Sequence, residues 1–231
     1  MFTGIIQELG TVEARTPIGA GVRLRVRAPG SARELAVGGS IAVNGTCLTV
    51  VAREGSSFEL EAVEETLRKT ALGLCAAGDR LNLELPMRID GRLDGHLVTG
   101  HVDAVGEIID IEILETSRLF TLRVPPEFGR YCVPTGSIAV DGVSLTIARL
   151  AGERVGVSII PHTLEHTLFQ QYKLFDQVNL EFDLVGKYVE RMLRPSVPGS
   201  GAPDGSEADG FNGRHSGTRF PAEERLREHG F

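Results

Sequence analysis

Three side chains able to move a proton or attack carbon, Cys47, His101 and Ser144, stand at points where two copies of the same sequence differ. Residues Gly39 to Val50 read GSIAVNGTCLTV, and 97 positions later Gly136 to Ile147 read GSIAVDGVSLTI, with eight identities in twelve. Between the copies Cys47 is exchanged for Ser144, Asn44 for Asp141, Ile5 for His101 and Phe2 for Val98. An imidazole exchanges protons near neutral pH, and a thiol or hydroxyl can act as nucleophile or hydrogen-bond partner. Plainer roles exist for each: an exposed or structural histidine, a small half-apolar cysteine, an aspartate that only fills an Asp-Gly turn. The residues kept in both copies are Thr3 and Thr99, Gly4 and Gly100, Thr49 and Thr146, and Thr66 and Thr163. Glycines let a ligand approach backbone N–H and C=O groups, and threonine hydroxyls both donate and accept, a combination suited to a flat polar heterocycle with amide-like edges. The same residues also turn corners and favour strands.

Two other motifs carry less. His162, Glu165 and His166 spell HxxEH, an inverted zinc-protease pattern, but the matching segment begun by Glu65 and Thr66 has no histidine and no third ligand is evident. The stretch GSGAPDG at Gly199 to Gly205 follows no strand and opens no helix, so it reads as linker.

The elements that must position these residues come in duplicate. Thr3 to Val12 aligns with Thr99 to Ile108, and Glu65 to Leu85 with His162 to Phe182, at nearly the offset of the GSIAV blocks. Three blocks in one order at one offset mean two tandem modules, expected at about 1–94 and 95–186; solenoid repeats are much shorter. Each module alternates apolar and polar residues, as in Val22, Leu24 and Val26 between Arg23, Arg25 and Arg27, the period of a sheet with one wet face. Asn44-Gly45, Glu54-Gly55, Asp141-Gly142 and Ala151-Gly152 fall between such runs, as hairpin turns require. Only Glu65 to Leu72 and Thr163 to Phe169 read as helical, so each module is expected to be a small closed antiparallel barrel and the whole chain all-β dominated. From Asp183 to Arg194 apolar residues return at helical spacing, giving an amphipathic helix whose main part is 187–194. The 37 residues from Pro195 hold seven glycines, four prolines and five large apolar residues, too few to offset the entropy of ordering, so the tail is expected to be disordered.

Charge and cysteine usage narrow the setting. A net charge of −7 argues against nucleic acid as partner. No apolar run is long enough for a membrane span, and MFTGIIQELG lacks the basic start of a signal peptide. Three widely spaced cysteines, Cys47, Cys75 and Cys132, form neither a disulfide framework nor a metal motif, which points to a reducing cytoplasm.

The start MFTGII, the paired NGTCLTV and DGVSLTI blocks, GHLVTGHVDAVG at Gly95 to Gly106, PHTLEHT at Pro161 to Thr167 and KYVERML at Lys187 to Leu193 together resemble riboflavin synthase of the alpha-chain type, over about residues 1–194. The resemblance implies tandem Greek-key barrels that each hold one 6,7-dimethyl-8-ribityllumazine. One molecule passes a four-carbon unit to the other, giving riboflavin and 5-amino-6-(D-ribitylamino)uracil with no cofactor or metal. It implies a homotrimer joined through the C-terminal helices, with each site between barrels of neighbouring subunits, and a lumazine synthase as a candidate further partner.

Carried over residue by residue, the first-barrel site would use Gly4, Ile5, Ile6, Cys47, Leu48, Thr49, Glu61, Ala62, Val63, Glu64, Glu65 and Thr66, with Phe2 and Ser40 close by. The second would use Gly100, His101, Val102, Thr135, Ser144, Leu145, Thr146, Ser158, Ile159, Ile160, Pro161, His162 and Thr163. Of these, His101, Ser144, Cys47 and Thr146 would serve the chemistry, in which one lumazine loses a proton from its C7 methyl and the anion adds to its partner. Two departures from the family pattern, Thr135 where many members carry lysine and Asp94 before Gly95-His96, keep a second class open: a protein that holds the chromophore without catalysis.

Overall fold

A computed structural model describes residues 1–193; the tail and the expected last helical residue, Arg194, lie outside the described residues. Strands β1 (Glu8–Ile18), β2 (Gly21–Arg27), β3 (Ser40–Val43), β4 (Thr46–Glu54), β5 (Ser57–Ala62) and β6 (Arg80–Glu84) close in the order β1-β2-β5-β4-β3-β6. Strands β7 (Ala104–Ile113), β8 (Arg118–Arg123), β9 (Ser137–Val140), β10 (Val143–Ala151), β11 (Arg154–Ile159) and β12 (Gln177–Phe182) close in the equivalent cycle, β10-β11-β8-β7-β12-β9. All pairings are antiparallel, as the alternating sequence requires. The copies share even their irregularities: the register slips between Val50 and Ala52 and again between Ile147 and Arg149. Such bulges bend strands far enough for six of them to close. Val22, Leu24 and Val26 fill the first core beside Ile41, Phe58 and Leu83, while Arg23 and Arg25 outside pair with Glu61 and Glu13. Closure leaves no free edge, and burying one such aliphatic side chain contributes roughly 1.5–3 kcal/mol.

The helices differ from expectation in an instructive way. The stretch 65–72 is not one helix but α2 (Glu64–Lys69) followed by a 3₁₀ turn over Ala71–Leu74; likewise α3 (Pro161–His166) gives way to Leu168–Gln170. Thr70 and Thr167 break them. Each is extended, donates its hydroxyl to the carbonyl four residues back (Thr66 and Thr163) and accepts from the amide two residues on. This local competition with the helical ladder is what threonine hydroxyls do. A further helix, α1 (Pro29–Glu34), was not expected. Its N-terminal amides of Gly30 and Ser31 donate to the Glu8 carboxylate, a cap supplied from 22 residues away that no local signal announces.

The barrels meet at the two copies of the GSIAV hairpin. Asn44 and Gly45, and equally Asp141 and Gly142, all have positive φ, the conformation of a tight hairpin turn, and the two turns lie back to back. Asn82 and Asn179 cross the junction. The Asn82 side chain donates to the Asp141 carbonyl and accepts from Leu168 N–H, while Asn179 donates to the Asn44 carbonyl and accepts from Ala71 N–H.

The exchange of Asn44 for Asp141 acquires a physical meaning here. Both side chains accept an amide hydrogen, from Asn82 and Asn179 respectively, but Asp141 also accepts the Tyr172 hydroxyl, and the position aligned with Tyr172 is Cys75. Burial pushes the Asp141 carboxyl up to about 7, against the opposing pull of the Tyr172 and Asn179 donors. The folded state therefore keeps a proton that the unfolded chain gives up near pH 3.8. Its contribution is complete below that pH and is lost as pH rises through about 7. Asp141→Asn should remove this dependence. The unfolding free energy of the variant relative to wild type is expected to improve by on the order of 2 kcal/mol between about pH 5 and pH 8, measured by urea denaturation. A pH-independent difference would refute it.

Helix α4 (Leu184–Leu193) is clamped to the second barrel by its polar face. Lys187 Nζ lies 2.5 Å from Asp103 Oδ2, and Glu190 takes Arg130 at 2.8 Å and the Tyr131 hydroxyl at 2.5 Å. Its apolar residues Val185, Tyr188, Val189 and Met192 remain exposed.

Candidate functional site

The peptide segments that precede each barrel cross between barrels. Phe2 and Val98 form an antiparallel bridge, N–H to carbonyl in both directions at 2.7 and 3.1 Å. Next to it, Thr3 N–H and hydroxyl donate to one oxygen of Glu84 at 2.6 and 2.7 Å, and Gly4 N–H donates to the other at 3.0 Å. Glu181 receives Thr99 and Gly100 at the same three distances. The carbonyl of Gly4 then accepts Ser144 N–H, and that of Gly100 accepts Cys47 N–H, each at 2.8 Å. A side chain could not pass there: at positive φ, a Cβ on Gly4 would lie 2.6 Å from Ser144 Cβ, and one on Gly100 2.6 Å from Cys47 Cβ.

This differs from the grouping that the resemblance implied. Gly4, Ile5 and Ile6 stand beside Ser144 to Thr146, with Ile6 packed on the second core, and Gly100, His101 and Val102 stand beside Cys47 to Thr49. Aligning the copies pairs like with like, whereas the pseudo-twofold arrangement joins each segment to the opposite barrel. Phe2, placed near the ligand by resemblance, is fully buried against Ala42, Val98 and Ala139 and offers no surface.

Ser144 has a partner the sequence reading missed. His96 Nδ1 lies 2.7 Å from Ser144 Oγ, and the ring is 9% exposed. Burial lowers its pKa, offset in part by the charges of Asp183 and Glu181. In the Nε2–H tautomer its Nδ1 would accept the Ser144 hydroxyl hydrogen. Because Leu97 aligns with Met1, His96 falls outside the repeat and comparing the copies could not flag it. Cys47 has a different setting, packed against the Phe2 cluster.

The remaining candidates divide by exposure. Ser40 pairs with Thr49 across β3–β4, Thr49 and Thr146 are exposed on their hairpins, and Leu145 is half-buried. Leu48, Ala62 and Ile159 are buried core residues, so only their backbone could reach a ligand. Val63, Ile5 and Ile160 are 62%, 45% and 56% exposed. Glu61 is ion-paired with Arg23, and Glu65 with Lys69 and Arg68, which hold its carboxyl below the usual range; Glu64, its neighbour, is exposed. Thr66 and Thr163 lend their carbonyls to Thr70 and Thr167. Ser158 Oγ donates to Ser117 Oγ, and Pro161 and His162 open α3 at the surface. The His162 and His166 rings stack at 4.2 Å, and His166 Nδ1 lies 2.7 Å from the His162 carbonyl oxygen. Thr135 is exposed at φ 63, where the first copy has Gly38, a costly conformation for a β-branched residue. Asp94 is exposed. A groove of about 480 Å³ between the barrels, lined by Leu67, Arg68, Val105, Arg123 and Pro125 among others, includes none of the candidates. Ile5, Thr49, His101 and Thr146 lie exposed at the surface.

The lumazine binding domain family matches residues 3–86 and again residues 99–183. The chain is therefore a tandem lumazine-binding-domain protein, consistent with its two barrels and crossed segments. Riboflavin synthase of Bacillus amyloliquefaciens is 42% identical over 193 residues, covering 84% of this chain and 90% of that protein. Riboflavin synthase of Mycobacterium bovis is 42% identical over 198 residues, covering 84% and 98%. The chain belongs to the riboflavin synthase family. Crystal structures of LumP with 6,7-dimethyl-8-(1'-D-ribityl) lumazine and with riboflavin share the fold, with TM-scores of 0.72 and 0.74 at 20% and 22% identity, each covering 79% of this chain and 99% of the other.

Proposed function

We propose that this chain converts two molecules of 6,7-dimethyl-8-ribityllumazine into riboflavin and 5-amino-6-(D-ribitylamino)uracil. The observation that carries this reading is the 42% identity to riboflavin synthases over nearly their whole length, joined to a second barrel that keeps both its crossed segment and a Ser144–His96 pair. A reaction between two identical molecules calls for two similar half-sites, and holding both rings in place can supply roughly 7–11 kcal/mol of the barrier reduction. In this reading Ser144 assists loss of the C7-methyl proton from the donor, with His96 receiving through it, while His101 stands in the other half-site, beside Cys47. Thr146 adds a hydroxyl beside Ser144, and Cys47 or a water, together with His101, serves the acceptor. Backbone groups of Gly4 to Ile6 and Gly100 to Val102 meet the ring edges.

The exposed half-site residues Ile5, Thr49 and Thr146 and the exposed apolar residues of α4 support a homotrimer that brings half-sites of neighbouring subunits together. Free Cys47, Cys75 and Cys132 suit a reducing cytoplasm, and among the described residues no helix is long and apolar enough to cross a membrane.

The alternative is a chromophore holder, favoured by the shared fold with LumP. Incubation with 6,7-dimethyl-8-ribityllumazine alone separates the two. Riboflavin should appear at one equivalent per two lumazines consumed, with an equivalent of the aminouracil. Persistent lumazine fluorescence without riboflavin would favour the holder, and a monomer by sedimentation would remove the trimer.

A further inference from the structure

Glu84 and Glu181 are 2% and 3% exposed, and each takes three hydrogen bonds from neutral donors of a crossed segment. Burying a carboxyl group is costly, and three converging donors offset part of that cost. At Glu84 burial is the larger effect and raises the pKa overall, while the Thr3 and Gly4 donors pull it down in part. Neutral glutamine could not replace either residue. Its amide nitrogen would meet a glycine N–H or the threonine donors, leaving a buried donor unpaired.

What the two carboxylates fix lies on the other barrel. Glu84 sits on β6 of the first barrel, yet the Gly4 carbonyl it orients accepts Ser144 N–H of the second. Glu181 sits on β12 of the second barrel, yet the Gly100 carbonyl it orients accepts Cys47 N–H of the first. We infer that Glu84 and Glu181 are positioning residues acting crosswise, Glu84 setting the wall of the Ser144 half-site and Glu181 that of the Cys47 half-site. The inference rests on the two-pocket reading above. It adds that each pocket depends on a carboxylate from the opposite barrel, so the half-sites can be disabled one at a time.

Cys47 is half-buried beside its half-site and reports on occupancy. In the full-length protein, saturating riboflavin should slow alkylation of Cys47 by iodoacetamide, followed on the Cys47 peptide by mass spectrometry. In Glu181→Gln the riboflavin concentration giving half-protection should rise about tenfold or more, the cost of a lost charged hydrogen bond. In Glu84→Gln it should stay within about threefold of wild type while equilibrium dialysis loses one of two riboflavin sites. Should Glu181→Gln not fold, Thr99→Val, which removes one donor and keeps the side-chain volume, should shift Cys47 protection where Thr3→Val does not. Equal effects of the paired variants would overturn crosswise positioning while leaving two pockets in place. Absence of protection in the wild type would overturn the pocket reading and the inference together.

Discussion

Ser144→Ala is expected to lower kcat by about a hundredfold while riboflavin affinity stays within about threefold. The substitution removes only a hydroxyl. Ser144 N–H still reaches the Gly4 carbonyl and the Cβ still packs on the crossed segment, so the half-site keeps its shape. What disappears is the 2.7 Å link between the hydroxyl and the buried His96 imidazole. A hundredfold in rate corresponds to about 2.7 kcal/mol, within the range of a single acid–base contribution. His96→Gln should produce a loss of similar size, and the double variant little more, because the two act as one unit. Cys47→Ala, whose side chain packs on the Phe2 cluster, should cost at most about tenfold. Equal and modest losses at Ser144 and Cys47 would mean that positioning dominates. Steady-state riboflavin formation together with dialysis separates kcat from binding.

How much of this was readable in advance follows from the range of each interaction. The duplicated hairpin, its Asn-Gly and Asp-Gly turns and the alternation of Val22, Leu24 and Val26 are local patterns, and they led to two closed barrels. Glu84 and Glu181 also sit in the aligned blocks, within LNLEL and VNLEF, but their donors are 80 to 82 residues away and nothing in the intervening chain links them. The crossing of segments is hidden from the sequence for a related reason. Sequence alignment superposes the copies, whereas a pseudo-twofold junction exchanges their extensions, and only the direction of two hydrogen bonds, from Ser144 to Gly4 and from Cys47 to Gly100, distinguishes the cases. His96 lies within GHLVTG but has no aligned counterpart, so comparing the copies does not single it out. Helix α1 escaped because its cap, Glu8, is remote, and the helices after Ala62 and Ile160 were drawn too long because Thr70 and Thr167 each look acceptable in a helix until their hydroxyls are placed.

Gly142→Ala should destabilise the fold by about 2–5 kcal/mol, a large part of the roughly 5–15 kcal/mol typical of a folded domain. Two costs combine at this position. The residue has φ +79, which an alanine adopts at about 1–2 kcal/mol. Its Cβ would also lie 2.8 Å from Gly45 N and 3.1 Å from Gly45 Cα, and backbone in the opposite turn cannot swing aside as a flexible side chain would. Overpacking of that kind adds typically about 1–3 kcal/mol. Relief would require the barrels to separate, stretching the Asn82 and Asn179 bridges and the Phe2–Val98 pairing that hold both half-sites. Gly45→Ala should behave alike, since its Cβ would meet Gly142 N at 2.7 Å. Gly152→Ala isolates the first cost, because Gly152 has φ +60 with nothing within 4 Å of the added carbon. Urea midpoints of the three variants should therefore place Gly142→Ala and Gly45→Ala together and well below Gly152→Ala. If all three fall by the same amount, the back-to-back contact contributes nothing and backbone strain alone explains the glycines.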